Sequence, residues 1–456
     1  MGKNKNTFII KLSILSICVI SIAGVFFMKV KSTVERWNDK IYPSVYVEDI
    51  NLGGKTKEEA IKVMEEQYTE PFSQSVIKIK LGDVIKNTQL SNFEPKYNLE
   101  DTVAKAYEYG KSQKMMDKYS KINKPSMNQY DIDYDFDYDK IDRFISSLAS
   151  EVNRNPRNAT VSSVNERVSV NEEENGYRVD TKKLKEDLLD SLKNIKSEEV
   201  FIEAKVDVIK PTITKENLKI IDTKISSFSS NYSINAEGRA TNIEIATESL
   251  NGQVVMPGDE FSFNKIIGET TAEKGYKPAT VIVENELKEE IGGGICQVST
   301  TLYNSIIQLN IKSTERRNHT LTVAYVPVGT DAAVSYGYMD YRFKNTLKYP
   351  LYIEGIANEG ILTFNIYSNS KAVQTDTSYR LRSEVIETMQ PKVETVEDEK
   401  LEVGEKKELQ AGLTGYKSVT YLEKVVNGAV VSKEVISKDI YSPTVTKIAI
   451  GKQKVH

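Results

Sequence analysis

Gly292-Gly293-Gly294-Ile295-Cys296-Gln297-Val298-Ser299-Thr300-Thr301-Leu302-Tyr303-Asn304 is the stretch on which the reading of this chain turns. Three successive glycines allow close backbone approach and dihedrals that other residues avoid. Beyond the cysteine, Leu302, Ser305, Ile306 and Leu309 fit a helical stripe. Cys296 is therefore expected at the start of a helix that opens directly from a glycine loop. The helix dipole at that end stabilises a thiolate and lowers its pKa. Amides around Gly293, Gly294, Ile295 and Gln297 are candidates to hold an oxyanion.

The chain has two histidines, His319 and the C-terminal His456. His319 lies 23 residues past Cys296, ahead of an alternating run, Leu321–Val326, that reads as a strand. A strand beside the cysteine helix would bring the imidazole to the thiol, for which it is the natural base. Asp331, after Gly329-Thr330, is a candidate to orient His319, and Asp340 is its rival. Arg316 and Arg317 are candidates to clamp a substrate carboxylate. Ser299 and Gln297 are candidates to line the thiol, with Tyr303 and Arg239 as further substrate contacts. A packed core cysteine and a structural histidine are the plain alternatives.

Working outward, 456 residues predict several domains. Hydrophobic residues at 39% and charged residues at 28% fit a folded, water-facing body and exclude a polytopic membrane protein. Lys plus Arg is 61 against 65 Asp plus Glu, so no basic excess exists to neutralise a nucleic acid. Two cysteines exclude a disulfide framework, and two histidines exclude a multi-histidine metal site. Neither a metal nor an organic cofactor is expected. The sequence is silent on oligomeric state.

Leu12–Met28 is a 17-residue run without a charge, extended past Lys11 by Phe8-Ile9-Ile10. With Lys11 snorkelling, it is long enough to cross a bilayer as one helix. No convincing small-residue cleavage site follows, so residues 1–31 read as a short tail and an uncleaved anchor, with the body outside the cell. Cys18 falls inside the span, which leaves Cys296 as the one thiol of the external body.

Residues 36–212 read as two related α+β units, about 42–125 and 128–212. Thr56 and Glu59 form a capping box, and Leu99–Tyr109 and Thr181–Lys193 are helices. Asp131, Asp133, Asp135 and Asp137 alternate with apolar residues as a strand with a solvated acidic face. A calcium loop would need glycine where Phe136 stands. Residues 222–372 form the chemical core. Residues 378–452 read as an all-β module, with Asn427-Gly428 as its clearest hairpin signal. The expected fold class is α+β multidomain, with a transmembrane helix in front and an all-β module at the end.

Several motifs carry family resemblances. NGQVVMPGDEFSFN, GYKPATVI, GGGICQVSTTLYN, RRNHT, YVPVGTDAAV and FKNTLKYPLYI occur in order between about Ser226 and Ser368, and this region resembles a VanW domain. The resemblance implies a cysteine-dependent L,D-transpeptidase of Gram-positive cell walls, in a family associated with glycopeptide (vancomycin) resistance. It carries the nucleophile to Cys296, the histidine to His319 and the acidic position to Asp331. The histidine-glycine-cysteine signature of YkuD-type transpeptidases is absent, so the implied activity stands on a different scaffold. VEDINLGGKTKEEA and AKAYEYGK resemble the peptidoglycan-binding domain of YoaR-like proteins. The glycines Gly412, Gly415 and Gly428, with the ending TVTKIAIGK, resemble a G-five domain.

The expected protein is a single-pass membrane enzyme facing the wall. It would form 3→3 peptidoglycan cross-links through a thioester, with stem peptides and glycan as partners. L,D-carboxypeptidase action is the variant with water as acceptor. The rival classes are a non-enzymatic wall-binding or glycopeptide-resistance accessory protein, and a cysteine peptidase or amidase of the wall.

Overall fold

The chain opens with one helix, Lys3–Arg36. Its Thr7–Arg36 portion is long and apolar enough to cross a membrane, by length and composition. The side chains from Phe8 to Met28 that carry this apolar character are exposed, whereas Val30 and Val34 are buried. Val34 packs with Ile41, Leu52, Met64 and Val103 in a hydrophobic core. The same helix thus begins as a bare apolar rod and ends as part of a folded body. The structure is a computed structural model and describes residues 3–193, 195, 199–283 and 286–451. Lys452, the expected end of the β module, and His456 lie outside the described residues.

Beyond the helix the chain is a mixture of helices and strands divided into two compact units. The first comprises Met1–Asn155 and Asn175–Ile209, the second Pro156–Glu174 and Lys210–His456.

In the first unit, Val76–Leu81 pairs antiparallel with Val84–Gln89 and parallel with Glu199–Ala204. Val45–Val47 likewise pairs parallel with Asn128–Tyr130. Strands from both halves of the repeated sequence pattern therefore share sheets. Ile77, Ile79 and Leu81 turn one face inward, as their alternation requires. That face is covered by Ile141, Ile145 and Leu148 of the helix Tyr138–Val152 and by Leu184, Leu188 and Leu192 of Thr181–Lys193. The capping box is present: Thr56 Oγ1 accepts from the Glu59 amide, and Glu59 Oε2 accepts from the Thr56 amide. The acidic ladder makes less strand than its alternation suggests, only Tyr134–Asp135. Asp137 Oδ1 accepts instead from the amides of Asp139 and Lys140, so the ladder ends by capping a helix.

The second unit is built on a four-stranded antiparallel sheet, ordered Thr223–Asn231, Ile361–Ser368, Leu351–Asn358, Gln253–Val255. The helices Glu237–Leu250 and Ile295–Ile307 bury Ile243, Ala246, Val298, Leu302 and Ile306 in the same core as Phe364 and Ile366 of that sheet. The hairpin Thr160–Val164/Arg167–Asn171 belongs to this unit, with Val161 packed among Leu218, Tyr352 and Tyr367. The C-terminal region is all β. Thr377–Met389, Gly415–Val426 and Ala429–Tyr441 form one antiparallel sheet, and Val393–Asp398, Thr446–Gly451 and Lys406–Gln410 form a second. Asn427 and Gly428 both take positive φ, 48° and 81°, as the two-residue hairpin turn demands.

One expected strand does not form. Leu321–Val326 is irregular, part of a long segment between Glu315 and Arg342. The cysteine helix takes the place of a neighbouring strand for part of it. Ser299 Oγ donates to the Ala332 carbonyl at 2.6 Å, and Asn304 Nδ2 to the Thr330 carbonyl at 2.8 Å. The Ala332 amide donates to Thr300 Oγ1 at 2.9 Å. These side chains satisfy backbone groups that would otherwise need a ladder.

The glycine loop is tight for specific reasons. Gly292 and Gly294 have φ of 93° and 108°. A Cβ on Gly293 would lie 2.7 Å from the carbonyls of Ala279 and Thr280 in the adjoining hairpin. Gly293→Ala must push that backbone away, so it is expected to destabilise the second unit by about 1–3 kcal/mol. A thermal unfolding midpoint equal to the wild type would contradict this close approach.

Candidate functional site

Every residue of the helix Ile295–Ile307 is buried except Cys296. Its N-cap is Gly294, which offers no side-chain acceptor. The amide of Ile295 turns back to the Gly292 carbonyl at 3.3 Å, and that of Gln297 to the Gly294 carbonyl at 3.0 Å. Among the described residues the Cys296 amide has no hydrogen-bond acceptor. The cysteine's own amide is thus a donor left at the helix start, close to the place where a carbonyl under attack by its sulfur would develop negative charge.

Cys296 Sγ lies 3.3 Å from the Val334 carbonyl oxygen. His319 is buried beside it, close enough for each group to feel the other's charge. His319 Nδ1 is held by Asp331 Oδ2 at 2.6 Å, which leaves Nε2 as the ring nitrogen free for the sulfur. The same carboxylate oxygen accepts the His319 backbone amide at 2.7 Å. Asp331 Oδ1 accepts from Tyr441 Oη at 2.5 Å and from Arg316 Nη2 at 3.3 Å. Asp331 is 1% exposed, so each of these donors offsets a desolvation that would otherwise be severe.

The charges follow from this arrangement. Burial pushes the Cys296 thiol up, but the charge of His319 beside it holds it below the ordinary thiol value. Burial pushes the imidazole down, yet the Cys296 sulfur and the Asp331 carboxylate raise it to about 10. Asp331 is raised by burial and lowered more by the His319 hydrogen bonds and by Arg316. The arrangement therefore shifts the balance toward a thiolate facing an imidazolium facing a carboxylate. The first two titrate as a coupled pair.

The structure gathers Cys296, His319 and Asp331 and separates them from the rival, Asp340. That carboxylate is occupied by Ser262 Oγ, the Asn264 amide and Arg342. The expected substrate contacts fare differently. Arg316 is spent inside the protein, where its Nη1 bonds both oxygens of Asp439 at 2.8 and 2.9 Å and its Nε bonds the Asp331 carbonyl. It presents no free edge for a ligand, because every carboxylate near it is the protein's own. Ser299 is fully buried on the Ala332 and Cys296 carbonyls, and Tyr303 is packed edge-on against Tyr341 in the core. Gln297 is buried too, donating to Ser230 Oγ and the Asn231 carbonyl. Arg317 alone of these is exposed. Gln297, Ser299 and Tyr303 thus shape the helix rather than the ligand's surroundings.

Three participants carried no mark in the sequence. Tyr325 is half-buried and close enough to Cys296 and Arg239 to feel both charges. Tyr441 and Asp439 come from the last long strand of the β module, more than a hundred residues beyond the histidine they support. Arg239, a candidate contact from the sequence, lies over Gly294 and donates Nη2 to Gln297 Oε1 at 2.8 Å. Among the described residues it has no carboxylate partner.

Known proteins are similar to parts of this chain. Residues 238–367 match the family described as "VanW like protein", residues 87–201 the "Putative peptidoglycan binding domain" and residues 381–452 the "G5 domain". The "Uncharacterized protein YoaR" of Bacillus subtilis is 34% identical over 239 residues, which is 51% of this chain and 76% of that protein. The "Vancomycin B-type resistance protein VanW" of Enterococcus faecalis is 27% identical over 114 residues, 24% of this chain and 42% of that protein. Among solved structures, an IgA1 protease G5 domain shares 24% identity over 18% of this chain and 98% of its own, with a TM-score of 0.14. HP0197-G5 shares 23% over 17% of this chain and 100% of its own, with a TM-score of 0.13.

The electrostatics make a direct prediction. His319→Gln removes the cation and leaves the burial, so the Cys296 thiol should titrate at higher pH than in the wild type. The rate of iodoacetamide alkylation at Cys296, followed against pH by peptide mass spectrometry, reads this. An unchanged profile would mean that the imidazole does not support the thiolate.

Proposed function

The chain belongs to the family of YoaR, with a VanW-like segment at its centre, and on that premise we propose that it is a cysteine L,D-transpeptidase of the cell wall. The observation that carries the reading is the buried row in which Asp331 holds the ring of His319 beside Cys296 at the start of its helix. Such a row is suited to acyl transfer through a thioester.

In this reading the Cys296 thiolate attacks the carbonyl carbon of the third, L-centred stem residue. The oxyanion is met by the Cys296 amide at the start of the helix. The bond to the terminal D-residue breaks, and its amine leaves with the proton from His319 Nε2. The acceptor is the side-chain amine of a second stem. It adds to the thioester, returns a proton to His319 and expels the thiolate, leaving a 3→3 amide cross-link. Water in its place gives the L,D-carboxypeptidase product.

Arg239 is the side chain best suited to bind the free carboxylate of the leaving D-residue. It is half-buried beside the helix start, it is charged, and it spends one donor on Gln297. The helix Lys3–Arg36 would anchor the enzyme with its body outside the membrane. Residues 36–212 and the module 378–452 would contact wall peptide and glycan.

The test is incubation of the full chain with tetrapeptide muropeptides, read by mass spectrometry. Dimers and released D-alanine in wild type, both lost in Cys296→Ala, are expected. Hydrolysis without dimers points to a wall peptidase or carboxypeptidase. Identical mixtures for wild type and Cys296→Ala would leave the chain a non-enzymatic wall protein. Arg239→Gln should raise KM by about tenfold or more with a smaller effect on kcat, the cost of one charged hydrogen bond. The transfer rate should be bell-shaped in pH. It falls on the acid side as the thiolate is protonated, below the ordinary thiol range, and on the alkaline side as His319 loses its proton near about 10.

A further inference from the structure

The β module makes contacts with the site that a wall-binding domain would not need. Tyr441 is 1% exposed and is the last residue of the strand Ala429–Tyr441. Its hydroxyl donates to Asp331 Oδ1 at 2.5 Å and accepts the Gly329 amide at 2.9 Å. On the central strand of the same sheet, Thr420 Oγ1 donates to the Gly329 carbonyl at 2.9 Å. Both backbone groups of Gly329 are thus bonded to the module. The contact is close enough that a Cβ there would come within 2.4 Å of Thr420 Oγ1 and 2.8 Å of Ser383 and Ser418. With φ at 87°, only glycine fits this position comfortably. Asp439, 6% exposed, receives the other end of the Arg316 guanidinium and is itself held by Ser437 Oγ at 2.9 Å.

The consequence concerns the carboxylate that orients His319. Asp331 has two oxygens. Oδ2 is used on His319, through both the ring and the backbone amide. Oδ1 is left facing a buried cation, Arg316, which would compete for the carboxylate and draw it away from the imidazole. Asp439 takes most of that guanidinium, since its contacts are 2.8 and 2.9 Å against 3.3 Å to Asp331. Tyr441 then supplies Oδ1 with a neutral donor. A neutral donor satisfies the lone pairs without cancelling the charge that His319 needs.

We propose that Tyr441 and Asp439 of the C-terminal β module are positioning residues of the cysteine site, which hold Asp331 on His319 by occupying its second oxygen and restraining Arg316. The module is then a fixed part of the site's framework as well as whatever else its outer faces bind. The inference rests on Cys296, His319 and Asp331 acting as one unit, as proposed above, but not on the identity of the substrate.

The experiment is therefore chosen to need no substrate. The full chain in detergent is alkylated with iodoacetamide across pH, and the Cys296 peptide is followed by mass spectrometry, which separates it from Cys18. In Tyr441→Phe the carboxylate should loosen from the imidazole and the thiolate should lose support. Alkylation at the acid edge should slow by about tenfold, the equivalent of about one pKa unit. Asp439→Asn, nearly the same shape, should move the profile the same way, because Arg316 is freed to pull on Asp331. In an Asp331→Asn background both substitutions should have little further effect, since they act through that carboxylate. Circular dichroism establishes that each variant is folded, and if one is not, the other carries the test. An unchanged profile in a folded variant, or losses that simply add in the Asp331→Asn background, overturns the proposal. A chain that responds as expected but makes no cross-links from muropeptides would overturn the transpeptidase reading and leave this inference standing.

Discussion

The hydrogen bonds from the buried helix Ile295–Ile307 to the segment around Thr330–Ala332 hold the whole site in place. A helix whose residues are buried all round is expected to be apolar all round. This one carries Ser299, Thr300, Thr301, Asn304 and Ser305 inside the protein. Each has a partner, and three of them, Ser299, Thr300 and Asn304, act on the backbone of the irregular segment. The arrangement satisfies two sets of buried groups at once, because the segment lacks a neighbouring strand there and the helix lacks water. It also fixes Asp331 one residue from each anchored position. The depth of the helix has a further result. Only Cys296, in its first turn, keeps part of its surface open.

Three ionisable groups in a buried row would be costly if any of them stood alone. Here the thiolate faces a cation, the cation faces a carboxylate, and the carboxylate collects donors on both oxygens. Removing the middle member leaves two like charges and no compensation, whereas in the intact row each charge faces one of opposite sign. Arg316 and Asp439 extend the alternation of sign by two more groups. The network thus crosses from the cysteine helix to the β module without leaving the interior of the second unit.

The chemistry was legible in the sequence to the extent that it was local. Three glycines followed by a cysteine and a helical stripe specify a loop–helix junction, and Gly292 and Gly294 adopt the positive φ that the run implied. His319 stood out by rarity, while Asp331 and Asp340 stayed alternatives for the acid that orients it. The failures have a common physical cause. Ser299, Gln297, Tyr303 and Arg316 are polar or amphipathic residues near the cysteine in sequence, and proximity suggested ligand contact. A helix repeats its faces every three to four residues, so neighbours of a nucleophile point mostly elsewhere. Leu321–Val326 alternates like a strand, but a ladder needs a partner strand, and none pairs with it among the described residues.

Sequence alone determined the sites of the turns, the helix that opens at Cys296, the apolar N-terminal helix, the hairpin at Asn427-Gly428 and the choice of Cys296 and His319 as candidates. These depend on dihedral preference, hydrophobic period and residue chemistry, all of which act over a few neighbours. Tertiary structure decided which acid serves the histidine, what satisfies that acid's second oxygen, and that Arg316 is a strut rather than a clamp. Those outcomes depend on which distant strands come to rest against Gly329 and Asp331. No pattern within either segment encodes the meeting of residues 331 and 441.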